Sequence, residues 1–403
     1  MRTGPLGVIL LTTGLAFTSS TAAVAAAPGE TSLGRGSIVS VKRVARMSAV
    51  QVERYLAADH PNFASPRPRH GVDTYQVVYR TLTPRGRPTT ASGVVSLPRT
   101  SGRLRAVSYA HGTHASRNIA GSVDPVGQSR VVSIYYAGAR FAGVAPDYLG
   151  LGLGPGFHPY MHAASEAGAS LDLLRAARTL ARGRLDERVL VTGFSQGGQA
   201  AMALGRELQR GADPRLRLGA LAPISGPYDI RHAQLPASFD EDGHLKPEYS
   251  VFYLAYVIVA WNRLFRLYGS PSEAFQAPYD RRVERLFDGH HDDFEEIARE
   301  LPRRLGDLLT PRFARWLRHP SGAMLEALRA ADGTCDWTPR APVRVYAARG
   351  DEQVAFANTR SCLERLRSHG AAPSLVDYGP GTDHFTTLFR GVPDTLRWFQ
   401  RVG

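Results

Sequence analysis

The segment Gly193-Phe194-Ser195-Gln196-Gly197-Gly198 limits what this chain can fold into more than any other stretch. It joins an apolar, β-prone run, Val189-Leu190-Val191, to a stretch of small helix formers that includes Ala200, Ala201 and Ala203. A strand that turns at once into a helix strains the backbone at its apex. It also leaves no room for side chains on either flank, where strand and helix nearly touch. Glycines flanking a serine meet both demands. The turn lifts the Ser195 hydroxyl above the sheet edge, at the N-terminus of a helix. Such a turn needs a sheet with alternating strands and helices around it.

The rest of the chain has that rhythm. Ser48-Ala49-Val50-Gln51 reads as a capping box opening a helix through Tyr55 and Leu56. Residues 74–81 and 89–97 are strand-like and flank a turn, Thr83-Pro84-Arg85-Gly86-Arg87, so they predict a hairpin. Strands are then expected at 104–110, 141–146, 189–194 and 218–224. Helices are expected between them at 126–138, 163–180 and 196–209. In the second of these, Leu171, Leu174 and Ala177 share one face. After residue 340 the pattern resumes with strands at 343–348 and 374–378, a helix over about 352–368, and a last helix through Leu396 and Trp398. This alternation predicts an α/β architecture, a mostly parallel sheet with helices on both faces. Between 226 and 340 it stops. An apolar run at 251–261 and charged helical stretches such as 294–301 read as a helical cap inserted into the sheet domain.

A serine hydroxyl is a weak nucleophile without a base, and the base needs an orienting carboxylate. The strand-like run Val343-Arg344-Val345-Tyr346-Ala347-Ala348 leads into Arg349-Gly350-Asp351. The Gly-rich loop Tyr378-Gly379-Pro380-Gly381-Thr382-Asp383-His384 follows the last strand. The expected roles are Asp351 as orienting acid and His384 as general base, with Glu352 and Asp383 as alternative acids. The tetrahedral intermediate needs donors for its oxyanion. One is expected from the backbone N–H of Gln196, the other from Gly112 or Thr113 in the loop after Tyr109-Ala110. His111 then braces that loop. Asp147-Tyr148-Leu149-Gly150 reads as a strand-end turn flooring the pocket, and His111, Asp147, Tyr148, His158 and Tyr160 are candidate pocket residues. Gly289-His290-His291-Asp292-Asp293 has metal-ligand residue types but sits among charged residues, so it reads as a solvated loop. Neither a cofactor nor a metal is expected.

Met1-Arg2-Thr3-Gly4-Pro5 is short and positive, an apolar run follows, and small residues surround Ala25. That order predicts a secretory signal peptide over 1–25 and a mature chain over 26–403. The apolar run is too short for a comfortable membrane span, and no later run is long and apolar enough to serve as one. The net charge of +13 comes almost wholly from arginine; Lys42 and Lys246 are the only lysines. The arginines are scattered and lack aromatic interleaving, which argues against nucleic-acid binding. They leave open a basic surface attracted to anionic lipid or envelope polymers. Cys335 and Cys362, the only cysteines, read as one disulfide in a secreted chain, or otherwise as two buried thiols.

Taken together, Gly-Phe-Ser-Gln-Gly-Gly, the Pro146-Asp147-Tyr148-Leu149-Gly150 turn and the long insertion before the acid resemble the secretory lipase family of α/β-hydrolases. The similarity runs from about Tyr75 to Phe399. It implies the α/β-hydrolase fold, hydrolysis of carboxylic esters, from triacylglycerols to short soluble esters, with Ser195, Asp351 and His384 as triad, and a helical lid over the site; transient contact with a lipid interface is a further expectation. Fungal relatives carry an acidic residue in the oxyanion loop, where this chain has His111-Gly112. The apolar run at 251–261 suggests a long acyl or aromatic substrate. Two other readings use the same residues: a secreted serine peptidase of the same fold, and a non-catalytic protein that binds the cell envelope.

Overall fold

The computed structural model describes residues 34–402, apart from 60, 64, 65, 241, 292 and 293. The expected signal peptide lies outside the described residues. Nine strands form one sheet in the order β1-β2-β3-β5-β4-β6-β7-β8-β9. They are β1 (Ile38–Met47), β2 (Val72–Leu82), β3 (Pro88–Pro98), β4 (Leu104–Ala110), β5 (Ala142–Pro146), β6 (Leu185–Phe194), β7 (Arg217–Ile224), β8 (Arg344–Ala347) and β9 (Ser374–Asp377). The first three and the β3–β5 junction are antiparallel, and the pairings from β5 to β9 are parallel.

The central strands are buried on both faces. In β6 the period of two sends Val189 and Val191 to one side and Leu190 to the other. The first side packs on the helices Ala163–Leu180 and Gln196–Gln209 through Leu171, Leu174, Met202 and Leu204. The second packs on Gln128–Gly138 and His384–Val402 through Val131, Val132, Leu396 and Phe399. The hairpin register runs from Val72 opposite Pro98 to Leu82 opposite Pro88. Ser48 and Gln51 exchange the reciprocal capping bonds ahead of the helix Ala49–Asp59.

Strand β1 has no counterpart in the sequence reading. It lies at the sheet edge, where Lys42, Arg43 and Arg46 interrupt its apolar residues and Val39 and Val41 stay about half exposed. Charge of this kind guards an edge and also conceals it as a strand. The helix expected to open at 352 begins at Phe356 instead. Backbone N–H groups of Gln353 and Val354 turn back to Asp351 rather than starting a helical ladder.

Between β7 and β8 the chain is helical, with Pro247–Phe265, Pro311–Arg318 and Gly322–Ala331 the longest segments. They share an aromatic-rich core built on Phe252, Tyr256, Trp261, Phe287 and Phe313, which also takes in Tyr160 and Met161. The Trp261 indole N–H donates to the Tyr160 carbonyl at 3.2 Å and the Tyr256 hydroxyl to the His114 carbonyl at 3.1 Å, fastening this region over the ends of the parallel strands. Cys335 and Cys362 form a disulfide with a Cα–Cα distance of 5.3 Å, tying the segment before β8 to the helix Phe356–Ser368.

Candidate active site

Ser195 stands between β6 and the helix Gln196–Gln209 with φ 57° and ψ −122°, a conformation that costs a non-glycine residue about 1–3 kcal/mol. Neighbouring groups hold it there. Its N–H donates to the Ile224 carbonyl at 2.9 Å and its own carbonyl accepts from Gly198 at 2.8 Å. The flanking glycines are sterically required. A Cβ on Gly193 would stand 2.1 Å from the Gly197 carbonyl oxygen, and one on Gly197 would stand 1.9 Å from that of Ala110.

The ends of β8 and β9 meet close by. Gly350 donates to the Gly379 carbonyl at 3.2 Å, and a Cβ on Gly350 would fall 2.2 Å from the Pro380 oxygen. This close approach brings Asp351 Oδ2 to 2.7 Å from His384 Nδ1. The other carboxylate oxygen, Oδ1, accepts from the N–H groups of Gln353 at 3.0 Å and Val354 at 2.9 Å. Both side chains are buried, and the imidazole lies 4.5 Å, centroid to centroid, from the ring of Phe194, next to Ser195. With Nδ1–H given to Asp351, Nε2 keeps its lone pair for a proton. The alternative acids are engaged elsewhere. Glu352 accepts from the His384 backbone N–H at 3.0 Å, and Asp383 accepts from Thr386 N–H at 2.7 Å at the start of the last helix.

Gln196 opens the helix after Ser195. The Gly112 backbone passes close on the other side, where an added Cβ would lie 3.4 Å from the Ser195 Cβ. Ser195, Gln196, Thr113 and Tyr160 line a cavity of about 50 Å³ with Leu254, Val257, Ile230 and Val354. The Thr113 hydroxyl bonds the Tyr160 hydroxyl at 2.7 Å. The Tyr253 hydroxyl donates to Gln353 Oε1 at 2.6 Å on the same cavity's wall.

Of the expected pocket residues, Tyr160 lines this cavity, whereas His111, Asp147, Tyr148 and His158 are buried behind it. Asp147 turns inward, accepting from Ser92 Oγ at 2.6 Å and from Ser122 N–H at 3.1 Å. The His111 ring bonds the Gly112 carbonyl at 2.6 Å, stacks on His114 and meets the Tyr148 ring at a tilt, so it props the loop from beneath. Burial lowers the His111 and His114 pKa values below the usual histidine range and takes His158 to about 3.

The 251–261 run meets the cavity only through Tyr253, Leu254 and Val257. Phe252, Tyr256, Ile258, Val259 and Trp261 belong to the core of the helical region. Most of the run's apolar character therefore serves packing, while Leu254 and Val257 also face the cavity. A larger cavity of about 370 Å³, walled by Arg85, Arg87, Phe157, Pro159 and Arg263, contains none of the candidate catalytic residues. In the metal-like stretch His291 pairs with Asp288 at 3.3 Å, while Asp292 and Asp293 lie outside the described residues.

Sequence reasoning missed Glu166, which bonds Gln196 from the helix Ala163–Leu180. The signal was available. Glu166 falls at helical spacing on the face that carries Ser170, Leu174 and Ala177, an acid where an apolar residue is expected.

The strand order, the parallel pairings and the Ser195 turn define an α/β-hydrolase fold. Known structures agree. A Legionella pneumophila protein provisionally classed as a hydrolase superposes with a TM-score of 0.83 at 25% identity, covering 91% of this chain and 98% of its own. The rice cell wall degrading esterase LipA of Xanthomonas oryzae, in a ligand-bound form, does so with a TM-score of 0.79 at 26% identity and the same coverage. Candida antarctica lipase A in its closed state shares the fold with a TM-score of 0.68 at 14% identity, over 92% of this chain and 82% of its own. No protein-family model matches the chain, and no curated protein matches it by sequence. The likeness to the Xanthomonas esterase supports hydrolysis of an ester, and that to the Candida lipase shows the shared fold. Among the described residues no helix is long and apolar enough to cross a membrane.

Proposed function

We propose that the protein is a secreted serine hydrolase of carboxylic esters. The observation that carries this reading is the 2.7 Å bond between His384 Nδ1 and Asp351 Oδ2, made beside the strained Ser195 turn. Ser195 attacks the ester carbonyl while His384 Nε2 takes its proton. Asp351 fixes the tautomer and stabilises the imidazolium. The N–H of Gln196, with that of Gly112 or Thr113, receives the oxyanion. His384 returns the proton to the leaving alcohol, and water releases the acid from Ser195 through the same steps in reverse order. The helical segment 226–340 acts as the cap, and the arginine-rich surface favours anionic envelope or lipid surroundings.

The cavity beside Ser195 is small, about 50 Å³, which favours a small acyl group. The expected preference is therefore for short acyl chains. Hydrolysis of p-nitrophenyl esters of rising chain length tests it: kcat/KM highest for acetate to butyrate supports the reading, and a maximum at a long chain overturns it.

A further inference from the structure

We propose that Glu166 is a neutral carboxylic acid that shares its proton with the side-chain amide of Gln196, and that this pair aims the Gln196 backbone at the oxyanion. Its kinetic consequence rests on the function proposed above; the protonation state does not.

The hydrogen bonds fix the orientation of the amide. His158 Nδ1 lies 3.0 Å from the Leu149 carbonyl oxygen, so Nδ1 carries the proton and Nε2 is an acceptor. Gln196 Nε2 lies 2.9 Å from His158 Nε2 and 2.7 Å from Glu166 Oε1, which occupies both amide hydrogens. Two buried acceptors of this bonded pair, Gln196 Oε1 and Glu166 Oε2, then remain without a partner at hydrogen-bond distance, the Met161 backbone N–H acting on the carboxyl without closing such a bond to Oε2. Acceptors left dry and unpaired are expensive. One proton on Glu166 Oε2 answers both. The acid O–H donates to Gln196 Oε1 while the amide N–H donates to Glu166 Oε1, closing a ring of two hydrogen bonds.

The surroundings favour the neutral acid. Glu166 is 1% exposed and has no Arg or Lys partner among the described residues. The titratable groups around it are Tyr148, Tyr160 and His158, all buried. The Gln196 amide N–H and, after it, the Met161 backbone N–H favour the charged form and oppose burial only in part. Burial pushes the Glu166 carboxyl up to about 8. Above that pH the carboxylate would face the Gln196 oxygen with no proton between them. The amide must then turn, at the first residue of the helix that supplies an oxyanion N–H. Glu166 is thus a positioning residue, and losing it should lower kcat rather than raise KM.

The test uses the full secreted chain and two readouts. Infrared difference spectra between neutral and alkaline pH should show a protonated-carboxyl C=O stretch that vanishes as pH rises and is missing in Glu166→Gln. In the pH profile, wild type should lose kcat on the alkaline side with KM little changed. Glu166→Gln keeps a donor facing Gln196 Oε1, so it should retain neutral-pH kcat and lose that alkaline fall. Glu166→Ala should lower kcat about tenfold or more. Absence of the C=O band from wild type at neutral pH overturns the proposal, as does an unchanged alkaline limb in Glu166→Gln. The infrared readout stands even if no ester is hydrolysed, so failure of the functional reading is told apart from failure of the acid–amide pair.

Discussion

Gly197 and Ala110 approach so closely that a Cβ on the glycine would lie 1.9 Å from the alanine's carbonyl oxygen. That contact joins the helix after Ser195 to the end of β4, and through it to the His111-Gly112-Thr113 loop. The two sides of the expected oxyanion site are therefore held together by a position that admits no side chain. Gly197→Ala must push β4 or the helix aside. We expect loss of soluble folded protein, or a drop in melting temperature of several degrees with activity lost, read by circular dichroism and ester hydrolysis. A variant with wild-type stability and activity would show that the contact yields without consequence.

Stability should fall on the acid side for a reason that can be assigned. His158 has its pKa lowered from 6.5 to about 3 by burial, so between those values the unfolded chain binds a proton the folded chain refuses. Its contribution is complete above pH 6.5 and is lost as pH falls toward 3, at a rate of up to about 1.4 kcal/mol per pH unit. Glu166 has the opposite sign, since a raised carboxyl costs stability as pH climbs from the ordinary carboxylate range to about 8. Urea unfolding measured across this range should give a His158→Gln variant a shallower acid slope than wild type. Equal slopes would place the acid-sensitive group elsewhere.

What could be read from the sequence follows from how narrowly physics restricts each position. The Ser195 turn was legible because only glycine fits at 193 and 197, and that restriction is written in residue identity. Asp351 and His384 could be paired because each follows its own strand, and parallel strands deliver such loops to one edge. Which way a loop's side chains point is a different matter. Tyr148 has φ 68°, and nothing in Asp147-Tyr148-Leu149-Gly150 announces that this turn drives Asp147 toward Ser92 and away from the cavity. The apolar run 251–261 is ambiguous for a similar reason: packing and substrate contact call for the same residues, and it supplies both. Its tyrosine hydroxyls, reaching Gln353 and the His114 carbonyl, are decided by partners distant in the chain. Strand β1 was hidden because an exposed edge needs no hydrophobic pattern.

The central claim is that Ser195 is a nucleophile activated by His384 and Asp351. Labelling the full chain with a fluorophosphonate and locating the adduct by mass spectrometry of its peptides tests this most directly. The account predicts one adduct, on Ser195, absent in Ser195→Ala and slowed by two or more orders of magnitude in His384→Ala, with Asp351→Asn also slow. Labelling that persists in Ser195→Ala, or proceeds at the wild-type rate without His384, would contradict it.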